Sequence, residues 1–77
     1  MTNEKNTDLA YKGDWCEQTA EFAEACGNKE IRDRNYRRAI EAYETGGWIT
    51  QALNVARKIK DQEKISELER NLRNAVI

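Results

Sequence analysis

The chain has no proline, no histidine, four glycines and two cysteines among its 77 residues. The absence of proline and the scarcity of glycine favour long helices over a turn-rich β fold. Histidine is the usual general base and a common zinc ligand, so its absence argues against an enzyme and against a structural zinc site. We therefore expect no catalytic residues, no bound metal and no cofactor.

The sequence also lacks any apolar run long enough to span a membrane, and it has no secretory signal. Cys16 and Cys26 fall on one predicted helix, about 15 Å apart along its axis, which is too far for a disulfide. Reduced thiols, which would serve here as small core side chains, predict a cytoplasmic protein.

Charged residues make up 35% of the chain and the mean hydropathy is −0.96, so the core must consist of narrow apolar stripes. The net charge is −1 and the pI is about 5.5, a poor basis for binding phosphates, so a nucleic-acid partner is disfavoured. Residues 1–30 carry seven acids and three bases, a net of −4, whereas residues 31–77 carry ten bases and seven acids, a net of +3.

An internal repeat with a spacing of 33 residues is the most informative positive feature. Gly13-Asp14-Trp15 recurs as Gly46-Gly47-Trp48, and a further set of positions continues the match: Gln18/Gln51, Phe22/Val55, Ala23/Ala56, Cys26/Ile59, Asn28/Asp61 and Glu30/Glu63. This period is typical of one helix–turn–helix unit in a helical repeat array. Such a unit buries its apolar face only by stacking on a neighbour.

Capping residues and glycines predict where the helices begin and end. Asp14, with Glu17 three positions later, resembles a capping box, so we expect residues 1–12 to form a polar tail with a short helical turn at Asp8–Lys12, stopped by Gly13. Residues 13–77 then form the helical domain. Short connections make consecutive helices antiparallel. The predicted helices are approximately Asp14–Cys26, Lys29–Thr45, Trp48–Lys60 and Gln62–Ala75.

The apolar stripes of these helices predict the core. We expect the following side chains to be mostly buried: Trp15, Phe22, Ile40, Tyr43, Leu53, Ala56, Ile59, Leu68 and Leu72.

The segment from Tyr36 to Ile59 resembles a degenerate tetratricopeptide repeat. It contains Tyr36-x-x-Ala39-Ile40-x-x-Tyr43 and then Ala52-x-x-x-Ala56-x-x-Ile59. It departs from the family pattern where Ile40 replaces a glycine, Ala56 replaces an aromatic residue and Lys64 stands in place of a closing proline. The resemblance implies two stacked helical hairpins in a right-handed α–α superhelix, and a non-catalytic role in protein–protein interaction.

A cluster of four arginines on the second helix, Arg32, Arg34, Arg37 and Arg38, is the candidate binding site. In the resembled family the first helix of each unit lines a concave groove, which would place Arg34, Arg37, Glu41 and Thr45 in that groove. We predict that an acidic segment of a partner protein binds here, and the predicted partner-binding residues are Arg34, Arg37, Arg38, Tyr36 and Glu41. The alternative is that these arginines pair internally with an acidic stripe on the first helix, formed by Glu17, Glu21 and Glu24.

Two further possibilities remain open. Residues 50–58 (TQALNVARK) resemble a DNA-recognition helix in composition, so a helix-turn-helix protein is the alternative function. Since no terminal helix looks polar on its outer face, the chain is expected either to be part of a longer array or to cover its open ends by self-association.

Overall fold

The computed structural model describes residues 5–75, and within that range it contains four α-helices and no β-strand. They are α1 (Thr7–Ala25), α2 (Lys29–Thr45), α3 (Ile49–Lys58) and α4 (Gln62–Ala75). Each helix packs on the next one along the chain, and the Cα atoms span a flat, elongated shape of 43 × 26 × 12 Å. The all-helical prediction is confirmed, and the predicted bounds of α2 and α4 are correct.

The predicted start of the first helix is wrong. Helix α1 begins at Thr7, capped by Asn6, whose side chain accepts a hydrogen bond from the backbone N–H of Leu9 at 3.2 Å. It runs without a break through Gly13 and Asp14, and the Asp14 carboxylate accepts a bond from Gln18 instead of capping.

The physical role of Gly13 is close packing and not helix termination. Gly13 is buried, and a Cβ atom added there would lie only 2.6 Å from the Tyr43 ring. The missing side chain therefore lets α1 approach α2 closely at this point.

The turns after α1 and α3 have the same hydrogen bonds, 33 residues apart. After α1, the N–H of Asn28 donates to the carbonyl of Ala23 at 2.9 Å, and after α3 the N–H of Asp61 donates to that of Ala56 at 3.2 Å. This pattern is a Schellman motif, which needs a residue in the left-handed conformation. Gly27 supplies it with φ of +78°, whereas the second turn uses a lysine, Lys60, with φ of +56°.

The core is formed mainly by small and medium side chains. The predicted core residues Ile40, Tyr43, Leu53, Ala56 and Leu68 are buried, and Ile59 and Leu72 are half-buried.

The prediction that Trp15 and Phe22 belong to the core is wrong, because their exposed fractions are 71% and 72%. Helix α1 has two apolar faces, and it packs through the face with the smaller residues, namely Gly13, Cys16, Ala20 and Ala23. Small residues allow close helix packing, and this leaves the aromatic face outside.

The start of α1 is fastened to the turn between α2 and α3. The N–H of Asn6 donates to the carbonyl of Gly46 at 2.9 Å, and the indole N–H of Trp48 donates to the carbonyl of Asn6 at 2.9 Å. The ammonium of Lys5 lies 4.8 Å from the centre of the Trp48 ring, a cation–π contact. The two repeat-related tryptophans therefore differ, since Trp48 is held in this contact and Trp15 is exposed.

Helix α4 has a polar outer face, contrary to the expectation from the sequence. Its buried or half-buried residues are Lys64, Ile65, Leu68 and Leu72. The exposed residues of its described part are all polar: Gln62, Glu63, Ser66, Glu67, Glu69, Arg70, Asn71, Arg73 and Asn74.

Candidate interaction surfaces

Two of the three predicted binding arginines are engaged by carboxylates of the same chain. The guanidinium of Arg34 lies 3.3 Å from the Glu30 carboxylate, one helical turn away, and that of Arg37 lies 3.2 Å from Asp61. The pKa of Asp61 is lowered, first because the carboxylate accepts a bond from the backbone N–H of Lys64 and second because of Arg37. These pairs reduce the positive charge that α2 can offer to a partner.

Arg38 differs from the other two arginines in its surroundings. It is exposed, and it lines a shallow groove between α1 and α2 together with Lys12, Glu41 and Thr45. Glu41 is exposed on this same side, so the groove holds two cations and one carboxylate.

The assignment of Tyr36 to a binding surface is wrong. Tyr36 is 4% exposed and faces the core, because α2 packs on α1 through the row that also contains Ala39 and Tyr43. Burial raises the pKa of the Tyr36 hydroxyl. The arginines lie on the other sides of α2, so the structure does not bring Tyr36 together with them at the surface.

The acidic stripe of α1 is paired with Lys58 and with one arginine of the predicted cluster, Arg32. The ammonium of Lys58 lies 2.8 Å from the Glu17 carboxylate and 3.5 Å from that of Glu21. Glu24 lies 3.8 Å from the guanidinium of Arg32. The alternative pairing within the chain is therefore correct for Arg32 with Glu24, and wrong for Arg34 and Arg37, which pair with Glu30 and Asp61 instead.

Glu17 is the centre of a small network that joins three helices. The Tyr43 hydroxyl donates to its carboxylate at 2.8 Å, and Lys58 approaches the other oxygen. Burial, followed by the bond to Glu17, raises the pKa of Tyr43, and the same carboxylate raises the pKa of Lys58. The network has a structural role, since it ties α1 and α2 to the end of α3.

The most prominent exposed feature is a row of aromatic side chains on α1, two of which, Trp15 and Phe22, were predicted to lie in the core. Tyr11, Trp15 and Phe22 are each at least 71% exposed. With Gln18 they follow a four–three–four spacing, which is the spacing of a helix–helix seam. We call this row the outer seam, and it consists of Tyr11, Trp15, Gln18, Thr19, Phe22 and Cys26.

The outer seam contains no charged residue, although 35% of the chain is charged. Thr19 is half-buried and its hydroxyl donates to the backbone carbonyl of Trp15 at 2.9 Å. Cys26 is exposed, so its assignment to the core is wrong, whereas Cys16 is buried as expected. The signal that could have identified the seam is the second apolar spacing on α1, opposite its small residues.

The possible DNA-recognition segment, residues 50–58, coincides largely with α3. Its inner face, which includes Leu53 and Val55, is buried. Its two cations are engaged, since Arg57 lies 3.4 Å from the Glu69 carboxylate and Lys58 contacts Glu17. Little free positive charge remains on this helix for phosphates.

Comparison with known proteins gives no further assignment: no family model, no curated protein and no solved structure matches the chain. Within residues 5–75, no three His, Cys, Asp or Glu side chains are grouped so that they could hold a metal ion. No helix in the described part of the chain has the length and apolarity needed to cross a membrane.

Proposed function

We propose that the chain is a non-catalytic protein-interaction module of helical-repeat type that binds its partner through the outer seam of α1. The observation that carries this proposal is the exposure of three large aromatic side chains in one uncharged row. Exposed apolar patches on soluble proteins mark interaction sites, and tryptophan and tyrosine are enriched among the residues that dominate binding energy.

Two sets of contacts support an antiparallel, repeated arrangement of the helices. Arg32 near the start of α2 meets Glu24 near the end of α1, while Tyr43 near the end of α2 meets Gly13. The turns after α1 and α3 repeat the same bonds at an interval of 33 residues, and the turn after α2 closes in the same way, with the N–H of Trp48 donating to the carbonyl of Tyr43. We propose on these grounds that α1–α2 and α3–α4 are two stacked hairpins of a right-handed, tetratricopeptide-like superhelix.

An acidic segment of a partner is the second candidate ligand. Arg38 and Lys12 favour it, because both line the groove between α1 and α2. This site is weaker than the one predicted from sequence, since Arg34 and Arg37 already pair with Glu30 and Asp61. Binding here would fall as salt rises, because exposed charges are screened over about 8–10 Å at physiological ionic strength.

Two double variants separate the two surfaces. The seam variant carries Trp15→Gln and Phe22→Gln, and the arginine variant carries Arg34→Gln and Arg38→Gln. All four positions are exposed, so both proteins should fold, which circular dichroism and thermal melts would check.

The readout is capture of partners by the immobilised protein, followed by mass spectrometry and titration with each purified candidate. We expect the seam variant to lose binding and the arginine variant to retain it. Loss of binding only in the arginine variant would move the site to the groove. Equal binding by the parent and both variants would contradict both sites.

The helix-turn-helix alternative has its own test. Titration of the protein with duplex DNA at low and moderate salt should show no saturable binding if Arg57 and Lys58 are occupied as described. Saturable binding that weakens steeply with salt would instead support a nucleic-acid function.

A further inference from the structure

We propose that the partner of the outer seam is a second copy of this chain, and that two copies pair α1 against α1 in antiparallel orientation. This inference rests on the proposed function, because it names the partner of the same surface.

The 33-residue correspondence between α1 and α3 indicates what kind of structure would pack against the outer seam. Thr19 and Phe22 of α1 correspond to Ala52 and Val55 of α3, and both of the latter are 0% exposed. Among the described helices, α3 packs on both α2 and α4, whereas α1 packs extensively only on α2. The part of the outer seam that contains Thr19 and Phe22 is thus the counterpart of a helix-packing face, so its natural occupant is another helix.

The polar outer face of α4 excludes the simplest repeated assembly. In a head-to-tail array, α4 of one copy would have to cover α1 of the next, so a row of exposed charged and amide side chains would face three aromatic rings. Burying those polar groups without partners is costly. A symmetric pair avoids this, because the two seams meet each other and both α4 helices remain in solvent.

The outer seam is complementary to itself when two copies run antiparallel. Gln18 and Thr19 lie at its centre, so Tyr11 and Trp15 of one copy would lie against Cys26 and Phe22 of the other. Aromatic pairs in such contacts attract one another beyond their area of burial.

Charge does not oppose this pairing strongly, although the first thirty residues are net negative. The outer seam itself is uncharged, and the acidic stripe lies on a different face of α1. Two of its members, Glu17 and Glu21, are already near Lys58, and Glu24 is near Arg32.

The available area predicts a reversible dimer. Three rings that are about seven-tenths exposed offer roughly 400 Å² per copy. Flanking side chains would bring the total over two copies to about 1,000–1,200 Å², the lower limit of specific interfaces. We therefore expect monomer and dimer to exchange within an accessible range of concentrations.

Sedimentation equilibrium of the parent, the seam variant and the arginine variant tests the dimer. We expect the parent and the arginine variant to show the same monomer–dimer equilibrium. The seam variant should dissociate at least about a hundredfold more easily, since two central aromatics are removed. A parent that stays monomeric at all concentrations, or a seam variant that dimerises as well as the parent, would overturn the inference.

A cysteine cross-link tests which face the two copies share. In a Cys26→Ser background, Gln18→Cys places a thiol at the centre of the proposed interface, and Ser66→Cys places one on the outer face of α4 as the matched control. Mild oxidation should link the first protein to itself and leave the second largely monomeric. Efficient linking through position 66 alone would show that the copies meet through another face.

The outcomes also separate this inference from the proposed function. If the parent is monomeric but a different protein binds it and loses affinity for the seam variant, self-association is wrong and the interaction function stands. If neither self-association nor any capture depends on Trp15 and Phe22, both are wrong.

Discussion

The two halves of the molecule, α1–α2 and α3–α4, have nearly the same turns but very different packing of their first helices. The N–H of Asn28 and that of Asp61 make equivalent bonds at the two turns. Yet Phe22 is 72% exposed, while its counterpart Val55 is 0% exposed. Local sequence determines the turn, whereas burial of a helix face depends on whether another helix is present to cover it.

The largest effect is expected where a helix is enclosed on two sides. Leu53 is 4% exposed on α3, so Leu53→Ala should lower the free energy of unfolding by roughly 2–5 kcal/mol. Denaturant melts would measure this, with Asn54→Ala on the exposed side of the same helix as the control. A change within a few tenths of a kcal/mol would show that α3 is not enclosed.

The repeat-related pair Phe22 and Val55 tests the difference between the halves directly. Val55→Ala should cost about 2 kcal/mol because it leaves a cavity. Phe22→Ala removes more atoms but should change stability by less than about 0.5 kcal/mol, when measured in dilution where the protein is monomeric. The opposite order in denaturant melts would mean that the exposed row is part of the core.

The network that joins the halves should make stability fall at alkaline pH. The pKa values of Tyr43 and Lys58 are raised on folding, so their contribution is complete below about pH 10 and is lost as the pH rises above the values of the unfolded chain. We expect a loss of about 1–2 kcal/mol by pH 11, mainly from buried Tyr43, since the Lys58 side chain is 42% exposed. Melts of Tyr43→Phe across the same range should show a much shallower decline. An equally steep decline would place the cause in other groups.

The close approach of α1 and α2 at Gly13 predicts a loss where helix propensity alone predicts a gain. Alanine favours a helix interior by about 1 kcal/mol over glycine. The added Cβ would lie 2.6 Å from the Tyr43 ring, and overpacking costs roughly 1–3 kcal/mol. We therefore expect Gly13→Ala to destabilise the protein by about 1 kcal/mol net. In a Tyr43→Leu background, Gly13→Ala should destabilise the protein by less, because the ring that the new Cβ would meet is absent. If Gly13→Ala alone stabilised the protein, the close contact with Tyr43 would be contradicted.

The smallest effect concerns the two equivalent turns. Lys60 adopts a left-handed conformation that costs a lysine about 1 kcal/mol. Replacing it with glycine would remove that cost, but part of the gain would be lost because glycine makes the unfolded chain more flexible. Lys60→Gly should therefore stabilise the protein by roughly 0.5 kcal/mol, and Gly27→Ala at the matching turn should destabilise it. Thermal melts that give the same sign for both changes would show that the turns are not equivalent.

The sequence was a good guide to features set by neighbouring residues. Asn28 and Asp61 cap helices as predicted, because their side chains bond the N–H groups of Ile31 and Lys64 three positions on. The reading of Gly13 as a helix stop was wrong because that glycine is fixed by Tyr43, thirty residues away in sequence. No local pattern encodes such a contact.

The candidate site was less predictable than the helices. Arginine clustering could be read from the chain, but Arg37 pairs with Asp61 in the turn between α3 and α4, and Glu17 pairs with Lys58 at the end of α3. Helical spacing likewise placed Trp15 on an apolar face of α1, but it did not show which of the two apolar faces of that helix packs against α2. That choice depends on the size of the side chains on both helices.

The contact between Asn6 and Trp48 has a consequence for the order of folding. The contacts between helices mostly join helices that are adjacent in sequence, which favours rapid folding, but this one closes a loop of more than forty residues. The first turn of α1 can therefore gain its anchor only after the turn between α2 and α3 has formed. The start of α1 should therefore be the last segment to become ordered during folding. Hydrogen exchange should accordingly show that the amides near residue 9 exchange faster than those in the middle of α2.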